Sequence, residues 1–232
     1  MSILYLVRHG QASFGQGDYD RLSELGQRQA RLTGRHLGQA GVSFDAAYCG
    51  AMRRQRDTAA ALLEGLAAPP ALTVMPGWEE YDSAAIIQAL LPCLLQDDPS
   101  LEASLPAMYQ DRRAFQKVYE AAMRRWVAGG HDLGTVETWR AFQDRALKAL
   151  GRVLAPHQGG KTVLVVSSGG PVAACAQAAL GLADHRVLQL TWVLRNASLT
   201  SFLYRGQELT LSTFNSPAHL EQASDPGLLT YR

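Results

Sequence analysis

The chain has 232 residues, 47% of them hydrophobic, with 22 Lys and Arg against 21 Asp and Glu. That length suffices for one sizeable core, removing roughly 70–75% of the unfolded surface on folding, so one domain over residues 1–232 is expected. The charge balance argues against nucleic acid or an anionic membrane as partner, and the N-terminal apolar run is too short for a bilayer span or leader, so a cytoplasmic location is expected.

Residues 2–10 read Ser-Ile-Leu-Tyr-Leu-Val-Arg-His-Gly. The almost unbroken apolar run 3–7 predicts a strand buried on both faces of a parallel sheet. It stops at Arg8-His9-Gly10, so a guanidinium and an imidazole stand where strand gives way to loop. Open α/β sheets bind their ligands there. Gly10 permits a sharp turn that brings main-chain N–H groups close to a ligand. A cation, a nucleophilic ring nitrogen and free amides suit a phosphoryl group. A histidine after a core strand, taken alone, is as well explained as a hydrogen-bonded structural residue.

A polar, glycine-rich loop over 11–21 follows, and Gln11 and Tyr19 within it are candidate substrate contacts. Ser23 is placed to cap a helix running to about residue 39, with Gly26 allowing close packing. A second strand is expected at 44–49, then a helix ending near residue 65. Arg53, Arg54 and Arg56 open this helix, where a cation adds to the partial positive charge and wants an anion; two of the three read as surface charges. A strand at 72–75 leads into Pro76-Gly77-Trp78-Glu79-Glu80-Tyr81-Asp82, where burial beside Trp78 and Tyr81 would raise a carboxyl pKa.

Helices are expected at 86–95, 105–127 and 136–154, within an insertion covering 84–156. Their aromatic residues read as core, with Tyr109, Arg112 and Arg113 as candidate contacts beyond a phosphate. His131 and His157 fall in turns and read as solvated. A buried strand at 161–167 runs into Ser167-Ser168-Gly169-Gly170-Pro171, a helix start whose free N–H groups would point to the sheet end. Strands are expected at 187–194, 197–204 and 208–214. Cys49, Cys93 and Cys175 share no metal-ligand spacing and read as reduced core residues, so neither metal nor cofactor is implied.

Together these stretches resemble the histidine phosphatase superfamily, the phosphoglycerate mutase-like fold. The resemblance is carried by Arg8-His9-Gly10 and by Leu22, Ser23, Gly26, Gln29 and Ala30 of a Leu-Thr-x-x-Gly-x-x-Gln-Ala signature. Met52, Arg54, Thr58 and Ala59 match Ser-x-Leu-x-Arg-Ala-x-x-Thr-Ala. Asn196, Ser198 and Thr200 match Asn-x-Ser-x-Thr, and Asn215 with His219-Leu220 matches a C-terminal pattern; His219 is read as structural. The resemblance implies a three-layer α/β fold, a mostly parallel central sheet with helices on both faces. It implies His9 as nucleophile, with Arg8, Arg54, Ser168 and the amides around Gly10 and Gly169 at the phosphate. An acidic proton donor is also implied; the apolar position of Trp78 assigns it to Glu80, with Glu79 and Asp82 as alternatives.

Beyond Ser23 for Thr and Met52 for Leu, the chain departs from the superfamily pattern at three places. Gly50 replaces Ser and Gln55 replaces Ala, changes that the retained register of Met52 and Thr58 makes mild. Ser168 stands where Ser-His-Gly-Gly carries a second catalytic histidine. A serine hydroxyl is shorter and uncharged, and losing a preformed donor to developing charge costs about 3–4 kcal/mol. The expected function is hydrolysis of a small phosphomonoester through a phosphohistidine on His9, without metal or cofactor. The expected partner is that phosphorylated substrate or inorganic phosphate, and a homodimer is left open. The alternatives are a phosphate-ester binding protein that lost turnover with Ser168, and mutase-type phosphoryl transfer.

Overall fold

A computed structural model of the chain describes residues 1–13, 20–108 and 110–231, with Arg112 described in its backbone alone. Six strands form one sheet: β1 (Ser2–Arg8), β2 (Ala46–Cys49), β3 (Leu72–Val74), β4 (Thr162–Ser167), β5 (Leu199–Arg205) and β6 (Glu208–Ser216). Their spatial order is β3-β2-β4-β1-β5-β6. β1 pairs in parallel with β4, Arg8 opposite Ser167, and antiparallel with β5. β2 runs parallel to both β3 and β4, and the β5–β6 hairpin closes the far edge antiparallel. The sheet is therefore mixed, with its parallel half carrying the strand ends of interest.

The apolar runs of β1 and β4 are buried on both faces because helices cover both. Leu4, Leu6, Val163 and Val165 point into the larger core, while Val7, Leu164 and Val166 point into the smaller one. The smaller core is closed by α1 (Glu24–Gln39) and α2 (Arg53–Leu63). These two helices touch backbone to backbone: a Cβ on Gly34 would fall 2.0 Å from the Leu62 carbonyl oxygen. The larger core takes α3 (Ser83–Asp97), α4 (Arg112–Ala128), α5 (Trp139–Leu154), α6 (Gly169–Leu180) and α7 (Asp184–Val193). The short α8 (Ala218–Glu221) packs with α1 near the C-terminus. No helix among the described residues is long and apolar enough to cross a membrane.

Two expectations about elements need correction. The strand expected at 187–194 is instead the body of α7, which ends at Val193 with Leu194 as its C-cap. The Val-Leu-Gln-Leu-Thr-Trp-Val run looks β-like, but Val187 and Leu188 bury one helical side against α6 and α4, and that packing overrides the local preference. The helix expected from residue 105 begins only at Arg112, after a 3-10 turn over Pro99–Ser104. Pro106 stops helix propagation through the intervening turn, and Asp111 supplies the N-cap by accepting from the Arg113 N–H at 2.8 Å.

Candidate active site

The end of β1 is clasped from two sides. Ser198 O accepts from Arg8 N at 3.3 Å, Ala197 N donates to Arg8 O at 3.0 Å, and Asn196 Nδ2 donates to His9 O at 3.2 Å. The Asn-x-Ser-x-Thr stretch therefore serves to fix the Arg8-His9 peptides. Ala197 adopts φ 56°, a left-handed conformation unfavourable for alanine, to do so. Thr33 and His219 hold this loop from behind: His219 Nε2 lies 3.0 Å from both Thr33 Oγ1 and the Ala197 carbonyl. Its ring stacks on His36 with centroids 5.4 Å apart. His219 thus supports the clasp. Burial first, then His36, pushes its pKa down to about 4, against the pull of the Ala197 carbonyl.

His9 is buried, and its ring is oriented at both nitrogens. Nδ1 lies 2.7 Å from the Gly10 carbonyl, an acceptor, so Nδ1 carries the proton. Nε2 accepts from Arg54 Nε at 3.1 Å and so keeps its lone pair. Burial, then the Arg54 and Arg8 guanidiniums, hold the His9 pKa well below 6.5, against the smaller opposing effect of the Gly10 carbonyl. The imidazole is therefore neutral at neutral pH. Arg8 bonds the Leu194 carbonyl at the end of α7.

Gly10 has a different job from the one expected of it. Its N–H donates to Thr58 Oγ1 at 3.0 Å, so this amide is committed within the protein. A Cβ here would fall 2.3 Å from the Gly26 carbonyl oxygen, so Gly10 is required for the contact between this loop and α1. Thr58 Oγ1 donates in turn to Arg54 O at 2.7 Å, which ties α2 to the loop. Gln11 is likewise engaged: its N–H donates to Gln29 Oε1 at 2.8 Å, and its Oε1 accepts from Ser23 Oγ at 2.9 Å.

Arg54 does have an anion, and it is Asp20. The Asp20 carboxylate bonds Arg54 Nη1 at 2.8 Å and the Arg53 N–H at 2.7 Å, capping the first turn of α2. Sequence reasoning missed Asp20 because it caps a helix across a loop rather than from the position just before it. Arg53 pairs with Asp57, 3.5 Å away, in a half-exposed contact along the helix.

The three acidic residues after β3 separate by their partners. Glu79 accepts from Ala51 N at 2.9 Å and Gly77 N at 2.6 Å and lies 3.6 Å from Arg145, a bracing role. Asp82 caps α3 through Ala84 N and Ala85 N. Glu80 alone turns to the sheet end, where Oε2 accepts from Gly170 N at 3.0 Å. Burial raises its pKa above 4.5, opposed by the Gly170 N–H, Arg54, Arg8 and the Tyr81 N–H. The first turn of α6 therefore meets a carboxyl group of the protein itself, and a Cβ on Gly169 would lie 3.7 Å from Glu80 Oε2 and 3.8 Å from Arg8 Nε.

Ser168 is fully buried at the N-cap of α6, one residue past the Arg8–Ser167 pair, which places it beside His9. Its Oγ accepts from Gln55 Nε2 at 2.8 Å. The structure thus brings Arg8, His9, Arg54, Glu80, Ser168 and Gly169 to one sheet end. Tyr19 and Tyr109 lie outside the described residues, and the backbone of Arg112 opens α4. His157, expected in solvent, is half-buried: its Nε2 is 2.9 Å from the Tyr48 hydroxyl, and its carbonyl accepts from Tyr204.

A mixed sheet between two helical layers, with an imidazole and two guanidiniums meeting at its parallel strand ends, defines an α/β protein with an anion-type centre. Residues 4–87 and 81–217 match the model of the histidine phosphatase superfamily (branch 1), and the chain belongs to that family. It is 41% identical over 73 residues to a 2,3-bisphosphoglycerate-dependent phosphoglycerate mutase of Bartonella bacilliformis, covering 28% of this chain and 35% of that protein. A Nitrosomonas europaea protein described as 2,3-bisphosphoglycerate-dependent phosphoglycerate mutase 1 is 29% identical over 134 residues, covering 44% of this chain and 57% of that one. The matched segments thus span between 35% and 57% of these relatives, less than two thirds of either. Among solved structures, a phosphoglycerate mutase from Bacillus anthracis superposes with a TM-score of 0.65 at 19% identity, covering 97% of each chain. A phosphoserine phosphatase mutant from Entamoeba histolytica, in complex with phosphoserine, gives a TM-score of 0.63 at 18% identity, covering 95% of this chain and all of that one. A mycobacterial glucosyl-3-phosphoglycerate phosphatase gives 0.62 at 22%, covering 93% and 99%. At these identities the likeness extends to the fold.

Proposed function

We propose that the protein is a phosphomonoester hydrolase that works through a phosphohistidine on His9, without a metal. The observation that carries this reading is the His9 ring, held neutral with its Nε2 lone pair aligned by the Nδ1 bond to Gly10 O. As the phosphoryl group enters, Arg54 Nε gives up Nε2 for a phosphoryl oxygen. Nε2 attacks phosphorus in line, the bond from phosphorus to the ester oxygen breaks, and the Glu80 carboxyl hands its proton to the leaving oxygen. The raised Glu80 pKa favours the protonated acid that this step consumes. Water then attacks the phosphohistidine while the Glu80 carboxylate takes its proton, returning His9 and Glu80 to their starting states. Arg8 and Arg54 hold the equatorial oxygens throughout, with the Ser168 hydroxyl as a neutral donor where other members of the family carry a second histidine. The substrate is a small phosphorylated metabolite, in keeping with the family's phosphatases and mutases.

Acid-quenched trapping tests this reading, with a panel of labelled small phosphomonoesters and wild type beside His9→Ala. Acid-labile, base-stable label on wild type alone, with release of inorganic phosphate, is expected. Tight binding of the same esters with neither label nor turnover would make the protein a phosphate-ester binder instead.

A further inference from the structure

Gln55 is an expensive residue to bury, and its carboxamide sits between Gly50, Trp78 and Ser168. It is fully inaccessible on α2, and its Nε2 donates both hydrogens, to the Trp78 carbonyl at 2.8 Å and to Ser168 Oγ at 2.8 Å. Its Oε1 has no hydrogen-bond partner among the described residues. That oxygen lies against Gly50, where a Cβ would fall 2.0 Å away, so only glycine leaves room for it.

The orientation of the carboxamide is fixed by chemistry. The Trp78 carbonyl is an acceptor and also receives Ser167 Oγ at 2.7 Å, so the Gln55 nitrogen, not its oxygen, must face it. The second Gln55 N–H then points at Ser168 Oγ, and the Ser168 hydroxyl is obliged to give its own hydrogen elsewhere. The usual local use of such a hydroxyl is missing. Ser168 is the N-cap residue of α6 yet makes no side-chain capping bond, and the Gly170 N–H goes to Glu80.

Resting on the phosphoryl site proposed above, we infer that Gln55 is a positioning residue. It makes the Ser168 hydroxyl an obligate hydrogen-bond donor to an oxygen of the phosphoryl group held by Arg8, His9 and Arg54. Gly50, Gln55 and Ser168 then act as one unit. The changes at Gly50 and Gln55, judged mild from register alone, are the structural counterpart of the change at Ser168.

Orthovanadate binding to the full chain, followed by calorimetry, tests this without requiring turnover; hydrolysis of p-nitrophenyl phosphate is measured alongside. Ser168→Ala is expected to weaken vanadate binding about ten- to a hundredfold, the loss of one hydrogen bond to a charged group. Gln55→Glu keeps the shape, and at about pH 6 burial keeps the introduced carboxyl protonated. Its single hydrogen goes to the Trp78 carbonyl, so it presents only an acceptor to Ser168, takes the Ser168 hydrogen and should match Ser168→Ala. The double variant should lose no more than Ser168→Ala alone.

Wild-type affinity in folded Gln55→Glu, or losses that multiply in the double variant, would overturn the inference, as would a wild type that takes no vanadate. Should Gln55→Glu fail to fold, Gln55→Met keeps the volume and decides. In that background, removing the Ser168 hydroxyl should cost less than it does in wild type, and an undiminished cost overturns the inference. The coupling without any ester hydrolysis would sink the hydrolase reading while leaving this one standing. Hydrolysis dependent on His9 without the coupling would do the reverse.

Discussion

Gly170→Ala separates proton delivery from phosphate binding with one methyl group. A Cβ at this position would stand 2.1 Å from Glu80 Oε1 and 2.9 Å from the nearest ring atoms of Phe142 and Tyr81. Those rings are packed edge to face with centroids 5.3 Å apart, and Tyr81 is also 4.7 Å from Trp126, so the carboxyl group is the part that yields. It must retreat by roughly 1 Å to reach ordinary contact, which breaks its 3.0 Å bond from Gly170 N. Overpacking and the stranded Gly170 N–H each cost about 1–3 kcal/mol, and alanine's helical preference over glycine returns about 1 kcal/mol. The variant should therefore lose about 1–5 kcal/mol, which a thermal melt reads before the assay. A 1 Å misplacement of a catalytic group costs about 100-fold in rate. The assay is the single-turnover rate of phosphoenzyme formation with two substrates. An alkyl phosphate, whose leaving oxygen needs a proton, should slow by about 100-fold. p-Nitrophenyl phosphate, whose leaving group departs as a stable anion, should slow far less. Glu80→Gln should reproduce this split and abolish the fall in rate that wild type shows as pH rises through the raised Glu80 pKa. Equal losses for the two substrates would refute proton delivery by Glu80.

Three further outcomes follow from the same geometry. His219, with its pKa pushed down from 6.5 to about 4, stays neutral in the folded protein while it protonates in the unfolded chain. The unfolded state therefore binds more protons in that window, so stability should fall by about 3 kcal/mol as pH drops from 6.5 to 4, and His219→Gln should flatten that part of a urea-denaturation pH series. Thr58→Val keeps the volume but strands the Gly10 N–H, and chemical denaturation should register a loss of about 1–3 kcal/mol. Ser168→His puts a ring carbon where Oγ now lies 2.8 Å from Gln55 Nε2. It should cost about 1–3 kcal/mol through overpacking, and adding Gln55→Ala should recover most of that loss in a thermal-melt comparison.

The parts of this site that sequence exposes are the parts set by local chain order. An apolar run that ends in Arg8-His9 must put those side chains at a strand end once both faces of β1 are buried, and Leu4, Leu6 and Val7 are indeed inaccessible. The caps at Ser23 and Asp111 act on their own first turns; only the first was anticipated, because Pro106 hides inside an otherwise helical pattern. Glu80 was separable from Glu79 and Asp82 only by the apolar neighbour Trp78. In the fold the distinction is made by what each carboxylate bonds: Arg145 and two main-chain amides, the first turn of α3, or the first turn of α6.

What stayed hidden is long-range pairing, which no periodicity encodes. Arg54 reads as a cation placed unfavourably at a helix start until Asp20 is seen to cap that same turn from across the loop. Gly10 reads as a source of a free amide until Thr58, 48 residues away, is found to accept it. Ser168 reads as a lesion while it is considered alone. In the fold its oxygen is bonded by Gln55, 113 residues away in sequence, a partner that chain order does not announce. A short side chain at one wall of a buried site leaves a void unless the opposite wall is long enough to meet it, and Gln55 on α2 reaches Ser168 in that way. Glutamine brings polar atoms that must be met, which Trp78 and Ser168 do on one side and which the bare α-carbon of Gly50 leaves unmet on the other. An unmet amide oxygen is unfavourable for folding, so a fold that only needed the space filled would be better served by leucine or methionine. That Gln55 occupies the position is best accounted for by the hydrogen bond it makes to Ser168.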